Sequence, residues 1–180
     1  MSDVRFLEPL IEQQINGTAL TNTTTPTSII APAARFTIPS NWWRIGRELC
    51  IGASGRISTA GAGPGTLTFD VRLGSVIVFN GGASPTLATS AADLTWVLEM
   101  MLTCRSIGAS TSATILGTGK LFTAALSATT PIQLLPTSAP APGTGFDSTA
   151  AAILDLFATW SVANASNSLR CDQYSVWAPN

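Results

Sequence analysis

The sequence predicts an all-β protein: an antiparallel β-sandwich or jelly-roll-like barrel of about eight strands, preceded by an extended N-terminal arm. Three observations lead there. Apolar and polar residues alternate with period two over run after run, as strands with one buried face require. Clusters rich in Gly and Asn separate those runs, supplying the positive φ values of tight connections. No stretch announces a helix with conviction.

Two regions divide the 180 residues. Residues 1–34 form the arm. They open with a polar and apolar mixture from Asp3 to Ile15 and pass into a Thr-rich stretch punctuated by Pro26 and Pro32. Such a segment lacks the surface to fold alone, so it is expected to be disordered in the free chain or laid across a neighbour. Val4, Phe6, Leu7, Leu10 and Ile11 are its docking anchors. On this reading, removal of residues 1–30 leaves the rest folded.

Residues 35–180 form the sandwich domain. Its first strand sets Leu49, Ile51, Ala53 and Ile57 against Ser54, Arg56 and Ser58; the next sets Leu67, Phe69, Val71 and Leu73 against Thr66, Thr68, Asp70 and Arg72. The clusters Gly61–Gly65 and Asn80–Gly82 then read as turns, with strands near 49–59, 66–73 and 76–79 running as a meander. Trp96, Leu98, Met100, Leu102 and Cys104 alternate with a face carrying Glu99 and Arg105. Further turns are expected at Gly108–Ser112 and Asn164–Ser168.

Four prolines between residues 126 and 144, among them Pro131, Pro136 and Pro140, exclude a central strand there. The segment reads as a long loop, a tolerated insertion or a reach toward a neighbouring subunit. Leu154, Leu156, Trp160 and Val162 continue a strand pattern, with a helical turn at 147–152 as the alternative. In the last strand Leu169, Cys171, Gln173 and Ser175 share one face, with Tyr174, Val176 and Trp177 placed opposite.

Only 11% of residues are charged, against roughly a quarter in ordinary soluble domains. A surface so poor in charge suits a chain that lives in an assembly. Nine Lys and Arg stand against ten Asp and Glu, a formal net charge of -1, which offers no source for the phosphate attraction behind nucleic-acid binding. Direct nucleic-acid contact is therefore not expected. Apolar runs such as Trp96–Leu102 are interrupted and far below the roughly 18 residues of a spanning helix, so no membrane partner is expected either. Asp3, Glu8 and Glu12 stand where a secretory signal would be basic and then apolar, and folding in a cytoplasm follows as the expectation.

Chemistry is sparsely indicated. There is no His, which removes His-based triads and leaves paired carboxylates as the route to catalysis. Asp70, Glu99 and Asp155 are the candidates, but Arg72, Arg105 and Arg56 share their faces, and cross-strand ion pairs account for them. Gly61–Gly65 lacks the Lys-Ser/Thr pair of a phosphate loop. Cys50, Cys104 and Cys171 show no CxxC spacing and read as buried free thiols. No catalytic residue, metal or cofactor is expected. Adjacent Trp42 and Trp43 point to opposite sides of an extended chain; one enters the core, while the other packs locally, meets a subunit or stacks on a sugar. Arg44 and Arg47 flank them.

Three segments then suggest a family. FTIPxNWW at 36–43, RISTxxxxPGTLTFDVRLG at 56–74 and GFDSTAAxxxDLFATWS at 145–161, together with WVLEMMLTCRSIG at 96–108, resemble small structural proteins of tailed bacteriophages. Within that group the chain looks like a head decoration or cement protein. The resemblance implies a non-enzymatic β-sandwich sitting as a homotrimer on the capsid surface of the virion, after synthesis in the bacterial host cytoplasm. Its partners would be further copies of itself and the major capsid protein. The arm anchors, Trp42, Trp43, Arg44, Arg47, Pro131, Pro136 and Pro140 are the expected interface. A tail, baseplate or fibre module, with carbohydrate bound at Trp42 or Trp43, is the alternative.

Overall fold

A computed structural model describes residues 7–126 and 129–179. Twelve strands build two antiparallel sheets that pack face to face, and no α-helix is present among the described residues. Eight of the strands are six residues or longer: β1 (Leu7–Glu12), β5 (Glu48–Ser58), β6 (Leu67–Leu73), β7 (Val76–Ala83), β8 (Leu94–Ser106), β9 (Thr114–Thr123), β11 (Ala152–Trp160) and β12 (Ser168–Pro179). The short ones are β2 (Leu20–Thr21), β3 (Thr27–Ser28), β4 (Phe36–Ile38) and β10 (Ile132–Leu135).

The larger sheet runs β1-β12-β5-β8-β9-β10, with β2 added beside β12; the smaller runs β3-β11-β6-β7, with β4 added beside β11. The fold is a sandwich and does not close into a barrel. Between the sheets lies one core, to which Leu49, Ile51, Trp96, Leu98, Leu102, Leu169 and Val176 contribute from one side and Phe69, Val71, Leu154, Leu156 and Trp160 from the other. Phe69 meets Trp96 across the gap at 5.4 Å between ring centroids. Both deep indoles also hydrogen-bond, Trp96 Nε1 donating to Arg170 O and Trp160 Nε1 to Leu20 O, each at 3.1 Å. Burying those rings therefore leaves no polar atom unmet.

The alternation of β5, β6 and β8 is as the sequence predicts, but the connections differ. The Gly61–Gly65 cluster is not a hairpin turn and the strands around it are no meander: β5 pairs with β12 and β8, and the chain crosses to the other sheet before β6 begins. Buried Asn167 fixes that crossing, accepting from Ala60 N at 2.9 Å and donating to Pro64 O at 2.8 Å. The β6–β7 turn falls instead at Gly74 (φ 60°), while Asn80–Gly82 lies inside β7, where Asn80 Oδ1 accepts from Gly82 N and the ladder is irregular.

Two further expectations are corrected. The segment 126–144 is not structureless throughout, because Pro131 and Pro136 bracket four residues that form β10 on the open side of β9. Proline at strand ends is compatible with an edge strand. In β12 a bulge between Cys171 and Gln173 resets the alternation, so Leu169 and Cys171 share the core with Tyr174 and Val176, and Gln173 and Ser175 face outward.

Residues 7–31 hold no helix and Pro32–Ala34 form a 3-10 turn, and the whole segment lies on this chain's own sandwich. β1 and β2 pair with β12, β3 pairs with β11, and Leu20, Ile29, Ile30 and Ala34 are buried in the common core. Removing residues 1–30 would thus open the core instead of sparing it.

Candidate interaction surface

The outer face of the larger sheet has no covering layer among the described residues, and its composition follows from strand register. One row across it reads Ser175, Gly52, Glu99, Lys120 and Leu134; the next reads Trp177, Cys50, Met101 and Thr118. Small residues on β5 and β12, Gly52, Ser54 and Ser175, beside the bulkier Trp177, Glu99, Met101 and Lys120 leave a hollow in the face. The hollow has a volume of about 950 Å³ and is lined by Gly52, Ser54, Gly119, Trp177, Met101 and Leu134, among others.

Gly52 is what lets the indole settle: a Cβ there would stand 3.3 Å from two Trp177 ring atoms. Across the hollow Glu99 and Lys120 form an ion pair at 2.8 Å, both about half exposed, and Ser54 Oγ donates to Gln173 Oε1 at 3.0 Å. Cys50 opens partly onto this face; burial raises its pKa, with Glu48 adding, so the thiol keeps its proton. The result is a mixed trough suited to holding an extended segment by packing and hydrogen bonds.

The carboxylates singled out in the sequence do not meet. Asp70 projects from β6 on the far face of the smaller sheet, bound to Arg72 at 2.6 Å, whose guanidinium lies 4.0 Å from the Phe157 ring centroid. Asp155, one strand away, accepts from Ser28 Oγ at 2.6 Å and pairs with Arg35 at 3.0 Å. Burial pushes its pKa up against the opposing pull of Ser28 and Arg35. Glu99 faces away on the other sheet, with Lys120 rather than Arg105 as its partner. Asp70 and Glu99 therefore share no cleft.

The expected interface residues also scatter. Val4 and Phe6 lie outside the described residues. Leu7 is 66% exposed where β1 begins, whereas Leu10 and Ile11 pack partly against the core. Trp43 is buried beside Phe146, and Trp42 sits edge-on to it beneath Arg47, whose guanidinium is 4.4 Å from the ring centroid and bonds the Trp42 carbonyl. Local packing thus accounts for both indoles, while Arg44 is exposed. This loop adjoins the end of β8, since Gly46 N donates to Cys104 O; Pro131 adjoins its start through Thr123. From Trp96 to Cys104, eight residue steps along β8, the distance is about 26 Å. Pro131 and Pro140 are exposed, and Pro136 follows a cis peptide bond.

The surface tryptophan that matters, Trp177, was hidden from sequence reasoning. Strict alternation from Leu169 would carry Trp177 to the core face, and the sequence groups it instead with Tyr174 and Val176; the bulge after Cys171, which turns Tyr174 and Val176 inward and Trp177 outward, has no residue signature beyond facing Gly55. Compared with known proteins, the chain matches no family model, and no curated protein matches it.

Proposed function

We propose that this chain is a non-enzymatic structural protein of a bacteriophage virion, a decoration or cement protein that binds the head shell as a homotrimer. The observation that carries the reading is the trough on the larger sheet. An uncovered face holding Trp177, Met101 and Leu134 around one ion pair is a surface for a partner, and a chain with 11% charged residues has little else to offer one. The resemblance of its strand and turn segments to tailed-phage structural proteins supplies the setting. Many weak contacts of this kind, repeated over a shell, bind collectively.

Copy number tests it. Quantitative mass spectrometry of purified particles should find this chain at hundreds of copies, near one per major capsid subunit. A dozen copies or fewer would overturn the head assignment in favour of a tail or baseplate module. A second reading is favoured by one feature: Trp177, with Ser54, Gln173 and Ser175 beside it, resembles a sugar-stacking platform more than the packed Trp42 and Trp43 do. A glycan array probed with the intact chain and with Trp177→Ala separates the two readings, since only a carbohydrate module gives signal that the substitution removes.

A further inference from the structure

Strand β10 ends the larger sheet, and no described strand pairs with its far side. Its backbone can be assigned group by group. Thr123 N donates to Pro131 O at 2.8 Å, and the register then sets Ile132 opposite Phe122, Gln133 opposite Leu121, Leu134 opposite Lys120 and Leu135 opposite Gly119. In an antiparallel ladder each residue turns its N–H and C=O to the same side, and successive residues turn to opposite sides. Pro131, Gln133 and Leu135 therefore face β9, while Ile132 and Leu134 aim their backbone groups at the open edge.

The side chains follow the same alternation. Ile132 and Leu134 stand outward, 47% and 71% exposed. Gln133 points inward, only 8% exposed, and neither its amide oxygen nor its amide nitrogen has a hydrogen-bond partner. Buried amides are seldom left unmet in native proteins. No charge lies between Pro131 and Pro136 to guard the edge.

We infer that β10 pairs antiparallel with β10 of a second copy, about a two-fold axis centred on Gln133. In that register Ile132 faces the partner's Leu134 and Leu134 faces the partner's Ile132. Both are hydrogen-bonded pairs, so four backbone bonds form and the exposed aliphatic side chains pack across the junction. The two Gln133 residues meet as a non-hydrogen-bonded pair, where strands bring side chains closest, with Cα atoms about 4.5 Å apart. Rotation about the side-chain bonds then brings each amide, closed off from solvent in the single chain, to donate to the other's oxygen. A two-fold on Ile132 or Leu134 would instead set Gln133 opposite Pro131 or Leu135 and leave the amide unmatched.

So short a strand buries less than the roughly 1,000 Å² that a stable isolated dimer needs. The contact is weak in dilute solution and gains strength where copies already stand side by side. A two-fold junction does not close a three-fold ring, so in a trimeric assembly it joins neighbouring trimers. The inference stands independently of the capsid reading, because purified protein tests it.

Gln133→Cys and Leu134→Cys are compared under mild oxidation on non-reducing gels, with the unaltered chain as control for Cys50, Cys104 and Cys171. Across the two-fold, Gln133→Cys places its thiols within disulfide reach, whereas Leu134→Cys, although more exposed, leaves its Cα atoms about 8 Å apart. The expected result is a disulfide-linked dimer that accumulates about tenfold faster from Gln133→Cys. In the unaltered chain, amide exchange at Ile132 and Leu134 should slow as protein concentration rises, which serves even where the Gln133 variant fails to fold. Equal cross-linking of two folded variants, or exchange at those amides indifferent to concentration, would overturn the pairing.

Discussion

Cys171 shows how a buried group weakens the fold on the alkaline side. Its side chain is fully buried, and burial together with nearby Asp172 lifts the thiol from its ordinary 9.0 to about 12. Between those values the unfolded chain sheds a proton that the folded chain keeps. Stability from this site is therefore full below about pH 9 and falls as pH rises toward 12, by about 1.4 kcal/mol per pH unit for one group. Cys104, Cys50 and Tyr174 are shifted in the same direction, chiefly by burial, so the alkaline losses add. Urea denaturation at about pH 8 and about pH 10.5 should show a fall in midpoint that Cys171→Ala lessens by one group's share. An unchanged fall would mean that the thiol ionises within the folded chain. Neighbour identity is what the sequence conveys poorly at this scale: an apolar run around Cys171 suggests a buried thiol, but nothing in it shows that Gln13 Nε2 reaches the Cys171 carbonyl at 3.1 Å.

At the scale of single elements, alternation made the strands legible and irregularity hid their connections. β8 keeps period two across all thirteen residues, so its inner face could be named residue by residue. β12 breaks phase at Cys171, and its cause lies on the facing strand. A Cβ on Gly55 would fall 1.9 Å from Arg170 O, so only glycine lets the bulged chain approach. Gly55→Ala is expected to cost roughly 3 kcal/mol, because backbone must move. Gly52→Ala, three residues away, meets only side-chain atoms at 3.3 Å and should cost under about 1 kcal/mol. Thermal or chemical denaturation of the pair measures the difference; equal costs would mean that the bulge relaxes freely. The Gly61–Gly65 crossing was illegible for a related reason. Gly and Pro declare a change of direction without saying whether the next strand returns to the same sheet, and the answer rests with Asn167, a hundred residues downstream and unremarkable in sequence.

Over the whole molecule, the scarcity of charge becomes a statement about what kind of partner fits. Among the described residues four ion pairs, Arg35–Asp155, Arg72–Asp70, Lys120–Glu99 and Arg170–Asp172, neutralise part of the small complement the chain has. Meanwhile Leu7, Ile45, Met101, Ile107, Ile132, Leu134 and Ile153 stay exposed. Composition signalled that surface without locating it, because location depends on which strand ends each sheet and on where β12 changes phase. If the chain caps a capsid shell, its attachment must come from apolar and backbone contacts rather than from paired charges. Salt then discriminates. At about 1 M the screening length falls to about 3 Å, which weakens exposed ion pairs, whereas apolar burial is undiminished and is strengthened by excluded salts such as sulfate. Purified heads washed at about 1 M NaCl should keep this chain at the occupancy found in dilute buffer, and ammonium sulfate should leave it equally in place. Release by NaCl that reverses on dilution would assign attachment to described charges outside those four pairs, such as Arg44, Arg56 and Arg105, and would shift the search for the contact away from the trough toward the loop of Arg44 and the ends of β5 and β8.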